Sequence, residues 1–246
     1  MKINKFINKL REIGIEVDEK KLNLLEKYYN ILIEYNTHTN LTSIIKKEEV
    51  YLKHFYDSLT AYKAHDFKQN TSVIDVGSGA GFPGVVLKIF FPNIRLTIID
   101  SNNKKTKFIL ELIRLLNLKD INVINDRAEN YAKNNLNKYD ICISRAVAFI
   151  DIISELCIPL IKKEGKVILM KGAFDEEKII LEKHKKDLNI EKYDIINCDL
   201  DENNVRNLVI LFKKTISKDI KDYNTILKRN KKWKTKYLRE NIIAKN

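Results

Sequence analysis

Residues 73–89 read Val73-Ile74-Asp75-Val76-Gly77-Ser78-Gly79-Ala80-Gly81-Phe82-Pro83-Gly84-Val85-Val86-Leu87-Lys88-Ile89. VIDV is a short β-branched strand, and the apolar run VVLKIFF (85–91) that follows the glycines reads as a helix. Strand, glycine loop and helix in that order form the first turn of a doubly wound sheet, where ligands bind outside the carboxyl ends of the strands. Glycines there let the backbone approach a ligand and adopt conformations a Cβ forbids. A dinucleotide fingerprint would need its third glycine at position 82, and Phe82 stands there instead. The glycines fall as GxGxG, with Asp75 two before the first. That spacing suits S-adenosylmethionine (AdoMet), which has no phosphates and a net positive charge. Its site needs room for the methionine arm and acids for the ammonium, not a pyrophosphate cradle.

Downstream, strands and helices alternate. LTIID (96–100) precedes a helix carrying Phe108, Leu112, Leu115 and Leu116; INVI (121–124), YDICIS (139–144) and KVILM (166–170) follow. This alternation predicts a parallel sheet with helices on both faces. Two further strands, around 190–198 and 205–212, are separated only by Asp199–Asn204, too short for a crossover helix, so they form an antiparallel hairpin. The expected architecture is α/β: a Rossmann-like, mostly parallel seven-stranded sheet with a final antiparallel hairpin. Asp100 ends the second strand, where a carboxylate can accept both ribose hydroxyls. Asp126-Arg127-Ala128-Glu129 follows the third strand, and backbone near Ala128 with an acid beside it can read an adenine edge.

Upstream, the first 64 residues read as helix. Ile3, Phe6, Ile7 and Leu10 lie on one face, with Gly14 as a stop. Asp18 caps a second helix carrying Leu22, Leu25, Tyr29, Leu32 and Ile33. NTHTNLTS (36–43) is a polar break, and a third helix covers roughly Glu48 to Ala64. Three parts are therefore expected: a helical cap over 1–64 packed on the core, a core over 65–213 and a tail over 214–246.

The chain has 246 residues, 44% of them hydrophobic, long enough to bury a core without disulfides or metal. Cys142, Cys157 and Cys198 form neither a disulfide framework nor a zinc pattern, which favours a reducing, cytoplasmic compartment. MKINKFINKLREIG lacks the apolar region of a secretory signal, and no run approaches the ~18 apolar residues of a spanning helix, so no membrane partner is expected. The net charge is +12. Residues 213–246 hold 12 Lys/Arg against 3 Asp/Glu, 12 − 3 = +9, with Tyr223, Trp233 and Tyr237 interleaved. Cations with aromatics suit phosphate contacts plus base stacking; a Lys-biased solvated tail is the plainer alternative.

NLTSI (40–44), HFYDSL (54–59), the glycine segment (73–89), LTIIDSNNKKTKFI (96–109), DRAEN (126–130), ICISRAVA (141–148) and MKG (170–172) together resemble the bacterial small-subunit rRNA methyltransferase family called RsmG or GidB. That family methylates guanine N7 in 16S rRNA. The resemblance spans roughly residues 35–215. It implies a class I AdoMet-dependent methyltransferase with Gly77, Gly79, Phe82, Ala128, Glu129 and Arg145 bordering the cofactor and Asp100 on the ribose. It implies 16S rRNA or the small ribosomal subunit as partner, and a monomer is expected. It also places His54, Asp57 and Ser58 of the cap along the site, although His54 and Asp57 are one turn apart and can simply pair with each other.

Guanine N7 is a bare lone pair, so its methylation needs no general base, and none is expected. No D/NPPY tetrapeptide follows the fourth strand; Ser144-Arg145-Ala146 stands there. Cys142 and Cys157 read as core rather than nucleophiles. Arg145 can orient the guanine or the cofactor carboxylate, or form a structural ion pair with Glu129 or Asp126. Lys171 can contact an RNA phosphate or base, or stand solvated. The family's proline-rich basic stretch after the last strand is replaced by YNTILKRNKKWKTKYL (223–238), so tail contacts do not carry over and this segment is either helical or disordered. Two alternatives are a methyltransferase with a small-molecule or protein substrate, and a non-catalytic RNA-binding Rossmann-like protein.

Overall fold

The structure, a computed structural model, describes residues 1–67, 70–202 and 204–243, with side chains through 233 in the last segment. Seven strands form one sheet: β1 (Ser72–Val76), β2 (Arg95–Asp100), β3 (Ile121–Asn125), β4 (Tyr139–Arg145), β5 (Ile161–Lys171), β6 (Ile190–Asp201) and β7 (Asn204–Lys213). Their order is β3-β2-β1-β4-β5-β7-β6. All neighbours are parallel except β7, which runs antiparallel to both β5 and β6. β1 sits at the centre and all five of its residues are buried, as a strand covered on both faces requires. The chain order reverses between β1 and β4, so a crevice opens at the carboxyl ends of β1, β2 and β4.

Helices cover both faces. On one lie α1 (Ile3–Glu12), α2 (Glu19–Thr39), α3 (Lys47–Val50), α4 (Asp57–Leu59), α5 (Gly84–Phe90) and α6 (Asn103–Leu115). On the other lie α7 (Ala128–Ala132), α8 (Ile150–Cys157), α9 (Asp175–His184) and α10 (Tyr223–Ile243). Among the described residues, no helix is long and apolar enough to cross a membrane. All three cysteines are buried and free.

The cap forms for local reasons and then commits to the core. Asp18 accepts from Lys21 N at 2.7 Å and starts α2, as its sequence position predicts. α2 runs on to Thr39, through half of the expected polar break, and stops at Asn40 with φ +49°. Its buried stripe is Leu25, Tyr28 and Leu32; the sequence reading placed Tyr29 there. Ile3, expected on the apolar face of α1, is instead 41% exposed. The expected third helix is composite: α3, a π-helical stretch Tyr51–Tyr56, α4 and a 3-10 turn Thr60–Lys63. The π turn widens the helix where it presents His54 to the core, and such bulges recur at functional sites.

The basic tail is helical from Tyr223, and its first turns lie on the core. Ile226 and Asn230 are buried, and Lys221 and Arg229 pair with Glu155 of α8. Trp233 stacks on His184 of α9, with centroids 3.7 Å apart and planes within 7°. Two of the three tail aromatics expected to meet bases therefore face inward; Tyr237 lies outside the described side chains.

Candidate functional site

The glycine loop closes β1 onto β2, with Gly77 N donating to Ile99 O at 2.8 Å. Gly77 has φ +73° and a Cβ there would collide with Val147, so the turn has room only for glycine. Gly81 (φ +95°) is similarly constrained: a Cβ would stand 2.6 Å from the Tyr28 hydroxyl. That hydroxyl donates to Ala80 O at 2.5 Å, so the cap holds the loop directly. Gly79 (φ +62°) faces open space instead.

Asp75 is fully buried beneath the loop. Its Oδ2 accepts from Ser78 Oγ at 2.6 Å and Gly84 N at 2.8 Å, while Oδ1 has no partner. Burial pushes its carboxyl up to about 6, against the pull of the Ser78 and Gly84 hydrogen bonds and of Arg145. Asp100, at the end of β2, accepts from Gly79 N at 3.0 Å and Asn102 N at 2.8 Å, one on each oxygen. Beside it opens a cleft of about 300 Å³ whose walls include Gly77, Asp100, Lys105, Ala128, Glu129 and Tyr223. A larger cleft of about 500 Å³ lies under the segment joining β7 to α10, lined by Glu155, Asn189 and Ile216. The smaller one opens at the carboxyl ends of β1, β2 and β4.

Arg145, at the end of β4, organises a second cluster with the cap. Its Nη1 donates to Asp57 Oδ2 and to Lys53 O, each at 3.0 Å, and its Nη2 lies 3.2 Å from His54 Nδ1. The same Nδ1 lies 3.1 Å from Lys53 O, and Nε2 lies 2.9 Å from Thr42 Oγ1, so both ring nitrogens have partners. Burial first, then the Arg145 charge, push the imidazole down to about 3. Phe82 is sandwiched between His54 (4.4 Å, 19°) and Tyr28 (5.3 Å, 9°), with the Arg145 guanidinium 5.0 Å from its ring centre.

Asp57 is completely buried. Arg206 of β7 grips it with Nε at 2.7 Å from Oδ1 and Nη2 at 2.8 Å from Oδ2, so two guanidiniums share one carboxylate. The structural ion pair of Arg145 is thus with Asp57, not with Glu129 or Asp126. Asp57 pairs with the two arginines rather than with His54. Lys171 is held by Ala148 O at 2.6 Å and Glu177 at 2.7 Å, and its side chain is only 11% exposed. Ser58 Oγ is buried and donates to His54 O at 2.6 Å.

The profile of the GidB family, rRNA small subunit methyltransferase G, matches residues 21–209. This chain belongs to the GidB family. A Ribosomal RNA small subunit methyltransferase G from Oceanobacillus iheyensis is 41% identical over 219 residues, 87% of this chain and 92% of that protein. One from Bacillus cytotoxicus is 46% identical over 181 residues, 73% and 76% of the two chains. Among solved structures, a SAM dependent methyltransferase from Aquifex aeolicus superposes with a TM-score of 0.50 at 18% identity, covering 68% of this chain and 94% of that one. The YcgJ protein from Bacillus subtilis gives 0.51 at 12% identity, covering 66% and 100%. At these identities the two structures show the shared class I fold.

In this GidB-family chain the residues fit a cationic nucleoside cofactor. Asp75 keeps an orphaned carboxylate oxygen. Each Asp100 oxygen accepts one backbone N–H and retains lone-pair capacity for a hydroxyl. Glu129 is almost fully buried at the cleft. Among the described residues no group of His, Cys, Asp and Glu could hold a metal ion. Gly77, Asp100, Ala128 and Glu129 come together on the cleft, whereas Phe82 and Arg145 join His54 and Asp57 in the neighbouring cluster. The sequence does not single out Arg206 or Tyr28, and it does not place Tyr223 on the cleft wall. Arg206 did leave a trace, because with only 8 Arg among 45 cations an arginine inside a strand is notable.

Proposed function

We propose that this chain transfers the methyl group of AdoMet to N7 of a guanine in 16S rRNA of the small ribosomal subunit. The carrying observation is the pair of sites at the strand ends: an acid-lined cleft, and a partly buried arginine fixed by Asp57 and Lys53 O with its guanidinium 5.0 Å from the Phe82 ring centre. In this reading Gly77, Gly79, Asp100, Ala128 and Glu129 hold the cofactor, with Phe82 and Arg145 at its reactive end. Bound there, AdoMet supplies an electrophilic methyl on a sulfonium centre.

The chain's own residues orient and stabilise. Asp100, fixed by two backbone donors, suits ribose hydroxyls. Arg145 cannot swing freely, because Asp57 and Lys53 O hold one nitrogen and His54 the other; pre-positioning of this kind lowers a barrier without reorganisation. Asp57 and Lys171 act as positioning residues, Asp57 through Arg145 and Lys171 through the 146–150 loop. His54, neutral and committed on both nitrogens, is not a general base. N7 has no proton to give up, so the proposed transfer asks no base of this cluster. In this reading the cap over 1–64 packs on the core and holds the glycine loop and Arg145, the core over 65–213 holds the cofactor, and the basic tail over 214–246 meets RNA.

The test supplies methyl-labelled AdoMet and 16S rRNA lacking the methyl group, naked or in small subunits, and maps any labelled nucleotide. Label at a guanine N7 is expected. Intact AdoMet binding with no incorporation into either RNA form would overturn the proposal.

A further inference from the structure

Tyr223 is the first residue of α10, some 120 positions after the end of the sheet's β2 edge of the cleft, yet it forms part of the cleft wall. It lines that cleft together with Val76, Ile99 and Ala128, the apolar residues at the strand ends, is partly buried against the core on this face of the sheet, and has its ring centre 5.2 Å from the Arg127 guanidinium. The same helix is fastened to α8 and α9 farther along. Ile226 is fully buried, Glu155 receives both Lys221 and Arg229, and Trp233 stacks on His184. Leu156 of α8 also lines the cleft, so the surface on which α10 docks and the wall of the cleft are continuous.

We infer that the basic tail completes the cofactor site: Tyr223 is a binding residue for the nucleoside end of AdoMet, in place only while α10 is docked. The inference rests on the AdoMet reading above. An aromatic ring at the Ala128 end of the cleft offers a face for a base, an interaction whose loss weakens binding by roughly tenfold. Cofactor affinity and docking of the RNA-facing helix are then linked, and the linkage is reciprocal. Whatever holds α10 down tightens AdoMet, and AdoMet holds α10 down.

The experiment uses the full chain and calorimetric titration with AdoMet. Tyr223→Ala removes the wall, Tyr223→Phe keeps its face, and Ile226→Glu undocks the helix without touching the cleft. About tenfold weaker binding is expected for Tyr223→Ala and for Ile226→Glu, with Tyr223→Phe within twofold of wild type. Wild-type affinity in Tyr223→Ala overturns the inference. Loss in Tyr223→Ala with full affinity in Ile226→Glu overturns the linkage. A wild-type chain that binds no AdoMet overturns the cofactor reading and this one together, so the two failures are distinguishable. Amide exchange in the unmutated protein needs no variant to fold: saturating AdoMet should slow exchange over residues 223–233 several-fold, and unchanged exchange would overturn the linkage.

Discussion

His54 shows how far a single side chain can be read. Its presence near the site follows from the HFYDSL segment, but its state does not, because that depends on Arg145, Thr42 and Phe82, each distant in sequence. A neutral buried imidazole costs nothing above the ordinary histidine range of about 6.5. Below it the unfolded chain binds a proton that the folded chain refuses until about pH 3, so stability falls as pH falls through that window. At pH 5.5 the loss is about 1.4 kcal/mol, or about 3–6 °C in Tm for a chain of this size. Asp75 runs in the opposite sense: with its folded pKa raised to about 6, its contribution is present at low pH and is lost as pH rises from about 4 through 6. A comparison with His54→Gln isolates the imidazole, since Asp75 is present in both proteins. Between pH 7 and 5.5 the wild-type melting temperature should fall more steeply than that of the variant. Parallel curves would mean that the folded protein accepts the proton. Arg206 marks the limit of residue-level reading: Lys is this chain's default cation, and Arg stands where a planar fork is needed, here across a buried carboxylate.

At the scale of elements, the strands were legible and the helix faces only partly so. β1 to β4 lie within a residue of their apolar runs, and the hairpin of β6 and β7 follows from its short turn. β5 begins at Ile161, five residues before KVILM, because IKKEG is polar in composition yet pairs with β4 around Tyr139. α2 presents Tyr28 rather than Tyr29 to the core, a rotation of one position that local periodicity between two adjacent tyrosines cannot decide. The deciding contacts are tertiary: Tyr28 stacks on Phe82 and bonds Ala80 O, so the cap and the glycine loop set each other's positions. Tyr28→Phe keeps the stacking face and removes only the donor to a buried carbonyl, at a cost of about 1–2 kcal/mol. Urea denaturation should show a lower midpoint with the m-value unchanged. An unaltered midpoint would show that the loop does not depend on the cap for this hydrogen bond.

For the whole molecule, the structure redistributes the charge that composition counts. The arithmetic places +9 of the +12 beyond residue 212 and so suggests one RNA-facing appendage. Lys213 does not belong to that surface: it is buried against Asn137 and Ile161 O, and burial lowers its pKa to about 8. Arg229 turns to Glu155. What remains exposed on the first half of α10 includes Lys228 and Lys232, on the side away from Ile226 and Asn230. The helix therefore has two faces, an inner one committed to the core and an outer cationic one, a division hidden in sequence because lysines and aromatics alternate throughout. In the proposed role, RNA binding through the outer face would release counterions in proportion to the phosphates neutralised, about 0.7 per contact for a single strand. Lys228→Ala combined with Lys232→Ala should reduce the slope of log affinity against log salt by about 1–1.5 and leave AdoMet affinity within twofold, because neither residue touches the helix's docking face. An unchanged slope with normal folding would place the RNA on another surface, and a fall in AdoMet affinity would mean that these two lysines also hold the helix in place.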